Sequence, residues 1–332
     1  GVSNKLKVVS LEHKMGLHGS PTAVMQYEGA TGWLIGQPND GLRAMFTMMN
    51  NARLGVGGQG IGVAEAAFQH ATDYALNRKQ GKATIPNAHG TIIDHADVRR
   101  MLMSMRADIF ASRSLELENA KAIDMANATG ETEWVNRAAF LTPITKVFGT
   151  EIGVNISYLG VQIHGGMGFI EETGAAQFSR DVRVTAIYEG TNGIQALDLV
   201  GRKMMDNGET AYAIINEIKE YIDNLSIIKR DLAELVAVAN ETLRETVGYF
   251  ISRKDVSDRF GGAMPFLMGY ARVLGGFYHL KAAAAEGGTG SRTKLAEFYI
   301  RRILPEAMSF LAAARSNSEE IYNLSVDELV GS

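Results

Sequence analysis

The sequence predicts a mainly α-helical fold that begins with a short β remnant. Apolar residues recur at helical spacing from residue 39 onward, whereas short strand-like runs separated by glycines precede that point. The chain of 332 residues, 46% of them hydrophobic, is long enough for two packed units. We therefore expect the end of a β-domain at 1–38, a four-helix bundle at 39–205 and a helical extension at 206–332.

Composition excludes several kinds of chemistry. The 33 Lys and Arg residues against 37 Asp and Glu leave a formal charge of −4, which argues against nucleic acid as the main partner. The absence of cysteine excludes disulfides, thiol nucleophiles, zinc–thiolate sites and iron–sulfur clusters. No apolar run is long enough to predict a membrane span. Because the chain opens with Gly1 and not Met, we expect the numbering to begin partway through a longer protein.

The first segment contains two strand-like runs, Lys7–Leu11 and Ala23–Tyr27, with glycines and a proline between and after them. Two or three strands cannot build a stable sheet with its own core. We therefore expect this segment to be the tail of a β-domain.

The bundle begins with a helix that Asn39 or Asp40 caps and that runs to about Arg78. One apolar face of this helix comprises Leu42, Met45, Phe46 and Met49. The glycine cluster at 55–62 lowers helix propensity by roughly 1 kcal/mol per residue. Such a cluster predicts close packing against a neighbouring helix.

Three further helices complete the predicted bundle. The second is capped by Asp94 and runs to about Gly130, and the third runs from about Glu131 to Tyr158 with a distortion at Pro143. A fourth helix follows Gly193, and its predicted buried residues are Ile194, Leu197 and Val200. In the extension, helical patterns cover roughly 210–250, 255–286 and 291–315, with no cluster typical of a second active site.

Two local motifs have a structural and a functional interpretation. The Asp94–Asp97 sequence, Asp-His-Ala-Asp, can suggest a metal site, but a helix start with a first-turn acid explains it better. The glycine-rich segment Gly165–Gly168 can approach a dinucleotide, but the dinucleotide fingerprint needs a preceding strand, and here a helical pattern precedes it. Spacing alone favours a tight interhelical turn at this position.

Glu189 stands between Tyr188 and Gly190, after a β-branched run and before a helix that Thr191 or Asn192 can cap. A carboxylate at such a junction, flanked by apolar residues, can have a raised pKa and act as a general base. The alternative is an acid that caps a helix start, and composition alone favours that alternative.

The stretch around Glu189 resembles the C-terminal signature of acyl-CoA dehydrogenases. The family's Q-I-x-G-G-x-G-[FY] motif is present at Gln162–Phe169, its R-D pair at Arg180–Asp181 and its I-Y-E-G-T motif at Ile187–Thr191. Shorter matches in the family's order and spacing occur at Lys14–Gly16, Ser20, Ala52–Leu54 and Arg78–Gly81. The resemblance covers about 1–205. The helical tail, together with Ile93–Arg100, is similar to the longer bacterial branch that includes 3-methylmercaptopropionyl-CoA dehydrogenases.

This resemblance implies a fold and a reaction. The fold has an N-terminal helical domain, a middle β-domain and a C-terminal four-helix bundle, of which this chain matches the end of the β-domain and the bundle. The reaction is FAD-dependent α,β-dehydrogenation, in which Glu189 removes the α-proton while the β-hydride passes to FAD. The backbone N–H of Glu189 is expected to help hold the thioester carbonyl. Some relatives carry the base on the first long helix, but that position here is Ala52.

The resemblance also implies cofactor and substrate contacts. Arg78 and Gln80 resemble residues near the FAD of a neighbouring subunit. The remaining expected FAD contacts are Gln162, Gly165, Gly166 and Thr191. Gly193 stands where many relatives carry glutamine, so one polar flavin contact differs. Arg53, Tyr188 and Gly190 are expected on the substrate side, and for Arg53 an ordinary surface ion pair is an equal alternative.

Three functional hypotheses follow from these observations. The first is a bacterial, cytoplasmic, homodimeric enzyme that acts on a short-chain or methylthio-acyl-CoA and passes electrons to an electron-transfer flavoprotein. The second is a relative that binds nucleic acid through a basic groove, which the net charge opposes. The third is a non-catalytic helical dimerisation or binding module. We expect these 332 residues alone to be inactive and colourless, because the strands that hold the flavin ring in this family would precede Gly1.

Overall fold

The computed structural model describes residues 2–225, 229–316 and 318–331. It confirms a mainly α-helical fold with a small β remnant. Strands β1 (Leu6–Leu11) and β2 (Ala23–Tyr27) form one antiparallel pair, with Lys7 opposite Gln26. Nearly all of their side chains are exposed, as a two-stranded sheet without its own core requires.

Three long helices form the body of the bundle: α1 (Gly41–Asn77), α2 (Ala96–Thr129) and α3 (Thr132–His164). The predicted starts and ends lie within three residues of these bounds, except at the end of α3. This helix continues through Pro143 and extends six residues beyond Tyr158. Its last turn therefore includes Gln162, which joins the glycine-rich segment directly to a helix end.

The glycines of α1 and α3 bring these two helices into backbone contact, as the glycine cluster predicts. A Cβ atom at Gly57 would lie 3.0 Å from the carbonyl oxygen of Thr145, and one at Gly153 would lie 2.7 Å from that of Gly60. Residue numbers rise together along this seam, so α1 and α3 run in the same direction. Their C-terminal ends therefore lie at the same end of the bundle.

The fourth helix of the bundle differs from the prediction. After α4 (Ala175–Val182), a short helix α5 (Asn192–Asp198) continues into a π-helical turn at Leu199–Lys203. Ile194 is 53% exposed, so its predicted burial is wrong, whereas Val200 is buried as predicted. The buried side of α5 is formed instead by Gln195 and Ala196, because the helix begins at Asn192 and turns that face inward.

The extension contains eight helices in the described residues. They are α6 (Glu209–Asp223), α7 (Arg230–Ser252), α8 (Val256–Gly261), α9 (Ala263–Ala285), α10 (Ser291–Arg302), α11 (Pro305–Ala314), α12 (Glu319–Tyr322) and α13 (Val326–Val330). Each of the three long helices predicted here is divided. The first is already interrupted at Asn224, and its part at 226–228 lies outside the described residues. The other two are divided at Gly262, which packs against the backbone of Ala314, and before Pro305.

Helix α9 packs against the bundle and joins the extension to it. Arg272 on α9 donates to Asp108 on α2 at 2.5 Å, and both side chains are buried. His279 on α9 lies 3.1 Å from the carbonyl oxygen of Ala107 and stacks on Tyr299. One hydrophobic cluster runs through the bundle and the extension, so the two segments share a core.

The N-terminal turns of α1 keep their apolar face exposed. Leu42 is 69% exposed, and Met45 and Phe46 are also exposed. Within the described residues this face therefore lacks a covering element. None of the described helices combines the length and apolar character needed to cross a membrane.

The buried imidazole of His279 predicts acid sensitivity of the α2–α9 contact. Burial lowers the pKa of His279 to about 4, below the usual 6.5. Between these values the unfolded chain binds a proton that the folded chain does not, so stability falls as the pH falls. We expect a loss of about 2 kcal/mol from pH 7 to pH 5 from this group.

Urea unfolding at both pH values checks this prediction in His279→Phe, where this part of the pH dependence should disappear. The control is His89→Phe, a change at an exposed histidine, which should keep the wild-type difference between the two pH values. An undiminished pH dependence in His279→Phe would show that the group does not control the contact.

Candidate active site

Glu189 lies in a strained turn that leads into α5. Its backbone φ is +55°, and that of Gly190 is +83°, so two consecutive residues adopt the left-handed region. This conformation costs a residue with a Cβ atom about 1–2 kcal/mol. At Gly190 an added Cβ atom would also lie 2.6 Å from the side-chain nitrogen of Gln195. The turn persists only because surrounding groups hold it.

Two side chains hold the carbonyl oxygen of Glu189. Arg53 Nε donates to it at 3.4 Å, and Gln195 Nε2 donates at 3.2 Å. Arg53 is only 7% exposed and pairs with Asp198 at 3.6 Å. The ion pair considered for Arg53 therefore exists, but it is buried, and the same guanidinium reaches the turn.

Lys146 on α3 binds the turn at Gly190, the residue after Glu189. Its side chain is fully buried, and Nζ donates to the carbonyl oxygen of Gly190 at 3.0 Å and to Oδ1 of Asn192 at 2.8 Å. The amide of Asn192 in turn donates to Glu151 at 2.6 Å. Burial lowers the pKa of Lys146 to about 8. The negative charges of Glu151 and Glu189 oppose this shift, whereas the positive charge of Arg53 adds to it.

Sequence reasoning missed Lys146. The available signal is its position in an apolar stretch of α3, where a lysine is rarely buried without a partner. The partners lie 44 and 46 residues away along the chain, so the pattern within α3 does not reveal them.

Tyr188 and Thr191 flank the turn. The Tyr188 hydroxyl donates to the side-chain oxygen of Gln59 on α1. Burial raises the pKa of this hydroxyl, the charge of Glu189 adds to the effect, and the hydrogen bond to Gln59 opposes it. Thr191 is the N-cap of α5, because its hydroxyl accepts from the backbone of Ile194. Glu189 thus lies outside the helix and is not its cap.

The arrangement presents a half-buried carboxylate from a turn with both adjacent carbonyl groups fixed. Contacts to α1 and α3 therefore fix the backbone of Glu189 relative to the bundle. A carboxylate in a fixed position can act as a general base toward a substrate placed over it.

The remaining predicted residues form a separate, exposed group at the far end of the bundle. Arg78 and Gln80 follow the end of α1, and Gln162, Gly165 and Gly166 lie at the end of α3. Ring contacts join the two helix ends.

These contacts stack His164 on His70 and Tyr74, with centroid distances of 4.7 and 4.4 Å. Arg53 lies on α1 and Arg78 directly follows it, so the two are about 38 Å apart along the helix axis at 1.5 Å per residue. The structure therefore brings Glu189, Tyr188, Gly190, Thr191 and Arg53 together, and it places the other five predicted residues elsewhere.

Two further features of the described residues bear on ligand sites. A cavity of about 370 Å³ adjoins Arg53 and Asp198 and is also lined by Thr47, Asn127 and Lys203, but not by Glu189. The described chain contains no group of three or more His, Asp or Glu that could hold a metal ion.

The predicted cap of α2 is wrong. Asp94 accepts from the backbone N–H of Gly90 at 2.8 Å, and His95 takes the N-cap position.

Asp198 offers a matched test of the buried contact at Arg53. It pairs with Arg53, whose side chain is 8% exposed, and with Arg202, whose side chain is 67% exposed. Arg53→Met removes the buried cation beside Asp198, which keeps only the exposed Arg202, and it also removes a donor to the carbonyl oxygen of Glu189. We therefore expect it to lower the free energy of unfolding by about 2 kcal/mol. Arg202→Met should lower it by less than about 1 kcal/mol. Urea unfolding followed by circular dichroism measures both, and equal losses would contradict the prediction.

Comparisons with known proteins agree with this architecture. Residues 39–205 match the family model of the acyl-CoA dehydrogenase C-terminal domain, and 214–325 match the acetyl-CoA dehydrogenase C-terminal-like model. A 3-methylmercaptopropionyl-CoA dehydrogenase from Ruegeria pomeroyi is 44% identical over 295 residues, which cover 85% of this chain and 50% of that protein. A butyryl-CoA dehydrogenase from Syntrophomonas wolfei is 35% identical, with 68% and 39% covered.

Solved structures show the same fold. Caenorhabditis elegans ACDH-11 in complex with C11-CoA matches with a TM-score of 0.80 and 21% identity, covering 98% of this chain and 54% of that one. An acyl-CoA dehydrogenase from Bacillus anthracis, complexed with FAD, matches with a TM-score of 0.74 and 21% identity, covering 98% and 58%. The chain spans about half the length of the relatives it matches. With a family model over half of its residues and a relative 44% identical, this chain belongs to the acyl-CoA dehydrogenase family.

Proposed function

We propose that this chain forms the catalytic bundle of an FAD-dependent acyl-CoA dehydrogenase and that Glu189 is its base. The observation that carries the proposal is the turn at Glu189, which is strained and held from both α1 and α3. Backbone strain that the surroundings over-determine is typical of functional sites. A helix-capping acid would need none of these contacts, and Thr191 already caps α5.

In the proposed reaction, the Glu189 carboxylate takes the α-proton of an acyl-CoA thioester. The backbone N–H of Glu189 donates to the thioester carbonyl, which stabilises the negative charge that develops as the proton leaves. Bound FAD supplies the acceptor for the hydride from the β-carbon. Arg53, Tyr188 and Gly190 lie beside the turn and are the proposed contacts on the substrate side.

The glycines proposed to contact FAD leave room for a ligand at the end of α3. Gly165 has a φ of +58°, and no atoms lie within 4 Å of the Cβ position at Gly165 or Gly166, so the backbone faces open space. A ligand can approach such a backbone closely because no side chain intervenes. Arg78 and Gln80 add a guanidinium and an amide at the same end of the bundle, suited to a pyrophosphate.

A short-chain or methylthio-acyl group is the proposed substrate. The similarity to relatives named for 3-methylmercaptopropionyl-CoA and butyryl-CoA supports this size class. We also propose that an electron-transfer flavoprotein takes the electrons from FAD, as the resemblance to the family implies.

Glu189→Gln tests the base in the complete enzyme that contains this chain. The substitution keeps the size of the side chain but removes its ability to accept the proton, so FAD should remain bound while kcat falls by several orders of magnitude. Turnover is measured with short acyl-CoA substrates and an artificial electron acceptor. Glu172→Gln, at an exposed acid, is the control and should keep the wild-type rate. Near wild-type turnover in Glu189→Gln would exclude Glu189 as the base.

The separation of the two groups of site residues supports a homodimer. Thr191 lies beside Glu189 and Arg53, whereas Arg78 and Gln80 follow the end of α1, about 38 Å from Arg53 along the helix, so we assign these two residues to the FAD of a second subunit. Light scattering coupled to size exclusion should therefore give the mass of two chains. A monomer would contradict this assignment, and a tetramer would contradict the expected homodimer.

A further inference from the structure

We propose that Lys146 is a positioning residue for the Glu189 base, because its ammonium group fixes the backbone that carries the carboxylate. This inference rests on the proposed role of Glu189. Lys146 lies on α3, below the turn, and touches neither the Glu189 carboxylate nor the open face of the site in any contact that the structure shows.

Different side chains bind the two carbonyl groups of the turn. The carbonyl group of Glu189 is held by Arg53 and Gln195, and the carbonyl group of Gly190 is held by Lys146. Each carbonyl belongs to the peptide plane that follows its residue. Fixing both planes sets the left-handed conformation of Gly190 between them and restrains that of Glu189.

The second contact of Lys146 fixes the start of α5. Asn192 accepts from Lys146 at 2.8 Å and donates to Glu151 at 2.6 Å, and Thr150 also lies within hydrogen-bond distance. The first residue of α5 is therefore tied to α3 by a polar network. The turn at Glu189 is held at its start through Arg53 and at its end through this network.

Burial of a lysine needs a reason, because a charged ammonium group loses its hydration inside the protein. The depressed pKa of Lys146, about 8, reflects that loss. The carboxylates of Glu151 and Glu189 stabilise the charged form of Lys146, and the amide oxygen of Asn192 accepts a hydrogen bond from it. The guanidinium of Arg53 repels it. A methionine would fill the same space without desolvating a charge, so packing alone does not account for a lysine here.

The test compares Lys146→Met with Ser157→Ala. Ser157 is a buried polar residue on the same helix whose hydroxyl bonds only within α3, to Val154, so it controls for the loss of a buried polar group. Two quantities are measured on the complete enzyme. They are the hydrogen–deuterium exchange of the peptide at 187–195 and the kcat and KM per bound FAD with α-protio and α-deuterio acyl-CoA.

We expect the exchange of 187–195 to accelerate at least tenfold in Lys146→Met. We also expect kcat per bound FAD to fall at least tenfold with a KM within about threefold of the wild type, and the deuterium effect to stay at least as large. Lys146→Gln keeps an N–H donor group of shorter reach, and it should recover part of both changes. Ser157→Ala should leave both quantities unchanged.

A purely structural role would lower the amount of folded, FAD-bound protein but leave kcat per bound FAD at the wild-type value, and that result would overturn the proposal. Faster exchange with unchanged kcat would also overturn it, because the turn would then be loose without consequence for the base. If Lys146→Met does not fold, Asn192→Ala is measured instead, because it removes one of the two acceptors of the Lys146 ammonium group. An unchanged exchange rate of 187–195 in Asn192→Ala would likewise overturn the proposal. Wild-type turnover in Glu189→Gln would instead refute the base assignment, and with it this proposal.

Discussion

The backbone contact between α1 and α3 determines the rest of the site. A Cβ atom at Gly149 would lie 2.7 Å from the carbonyl oxygen of Gly57, and one at Gly153 would meet that of Gly60 at the same distance. The distance between packed helices depends on the side chains at the contact, and glycines allow the closest approach. Because the seam is this close, Arg53 on α1 and Lys146 on α3 both reach the turn that carries Glu189.

The polar groups below the turn follow from this proximity. Two cations, Arg53 and Lys146, are buried beneath one carboxylate-bearing segment, and they repel one another. Asp198 neutralises the first, and Glu151 acts on the second through Asn192. Asp198 also pairs with Arg202, and Asn192 also bonds with Thr150, so most members of the network have two partners. The groups that hold the turn therefore form one connected polar network between α1, α3 and α5.

Local patterns in the sequence predicted the parts of the structure that local physics controls. The two strands, the starts of α1 to α3 and the close glycine seam follow from periodicity and small residues, although the N-cap side chains Asp40, His95 and Glu131 make no capping hydrogen bond. The extension was divided where Gly262 packs on Ala314 and where Pro305 begins a helix; the proline was visible in the sequence, but the packing of Gly262 was not. Ile194 was predicted to be buried but is exposed. The seven-residue helix that begins at Asn192 buries Gln195 in its place.

Local sequence patterns do not predict the contacts that hold the turn at Glu189. Glu189 was identified by its resemblance to a family motif, and composition alone favoured a capping role. The groups that hold it lie 136 residues away, at Arg53, and about 44 residues away, at Lys146. Only Gln195, six residues on, is close in sequence. A turn strained at two positions and held by such distant partners cannot adopt its conformation until α1 and α3 have packed. The geometry around Glu189 is therefore a product of the folded bundle and not of the motif that marks it.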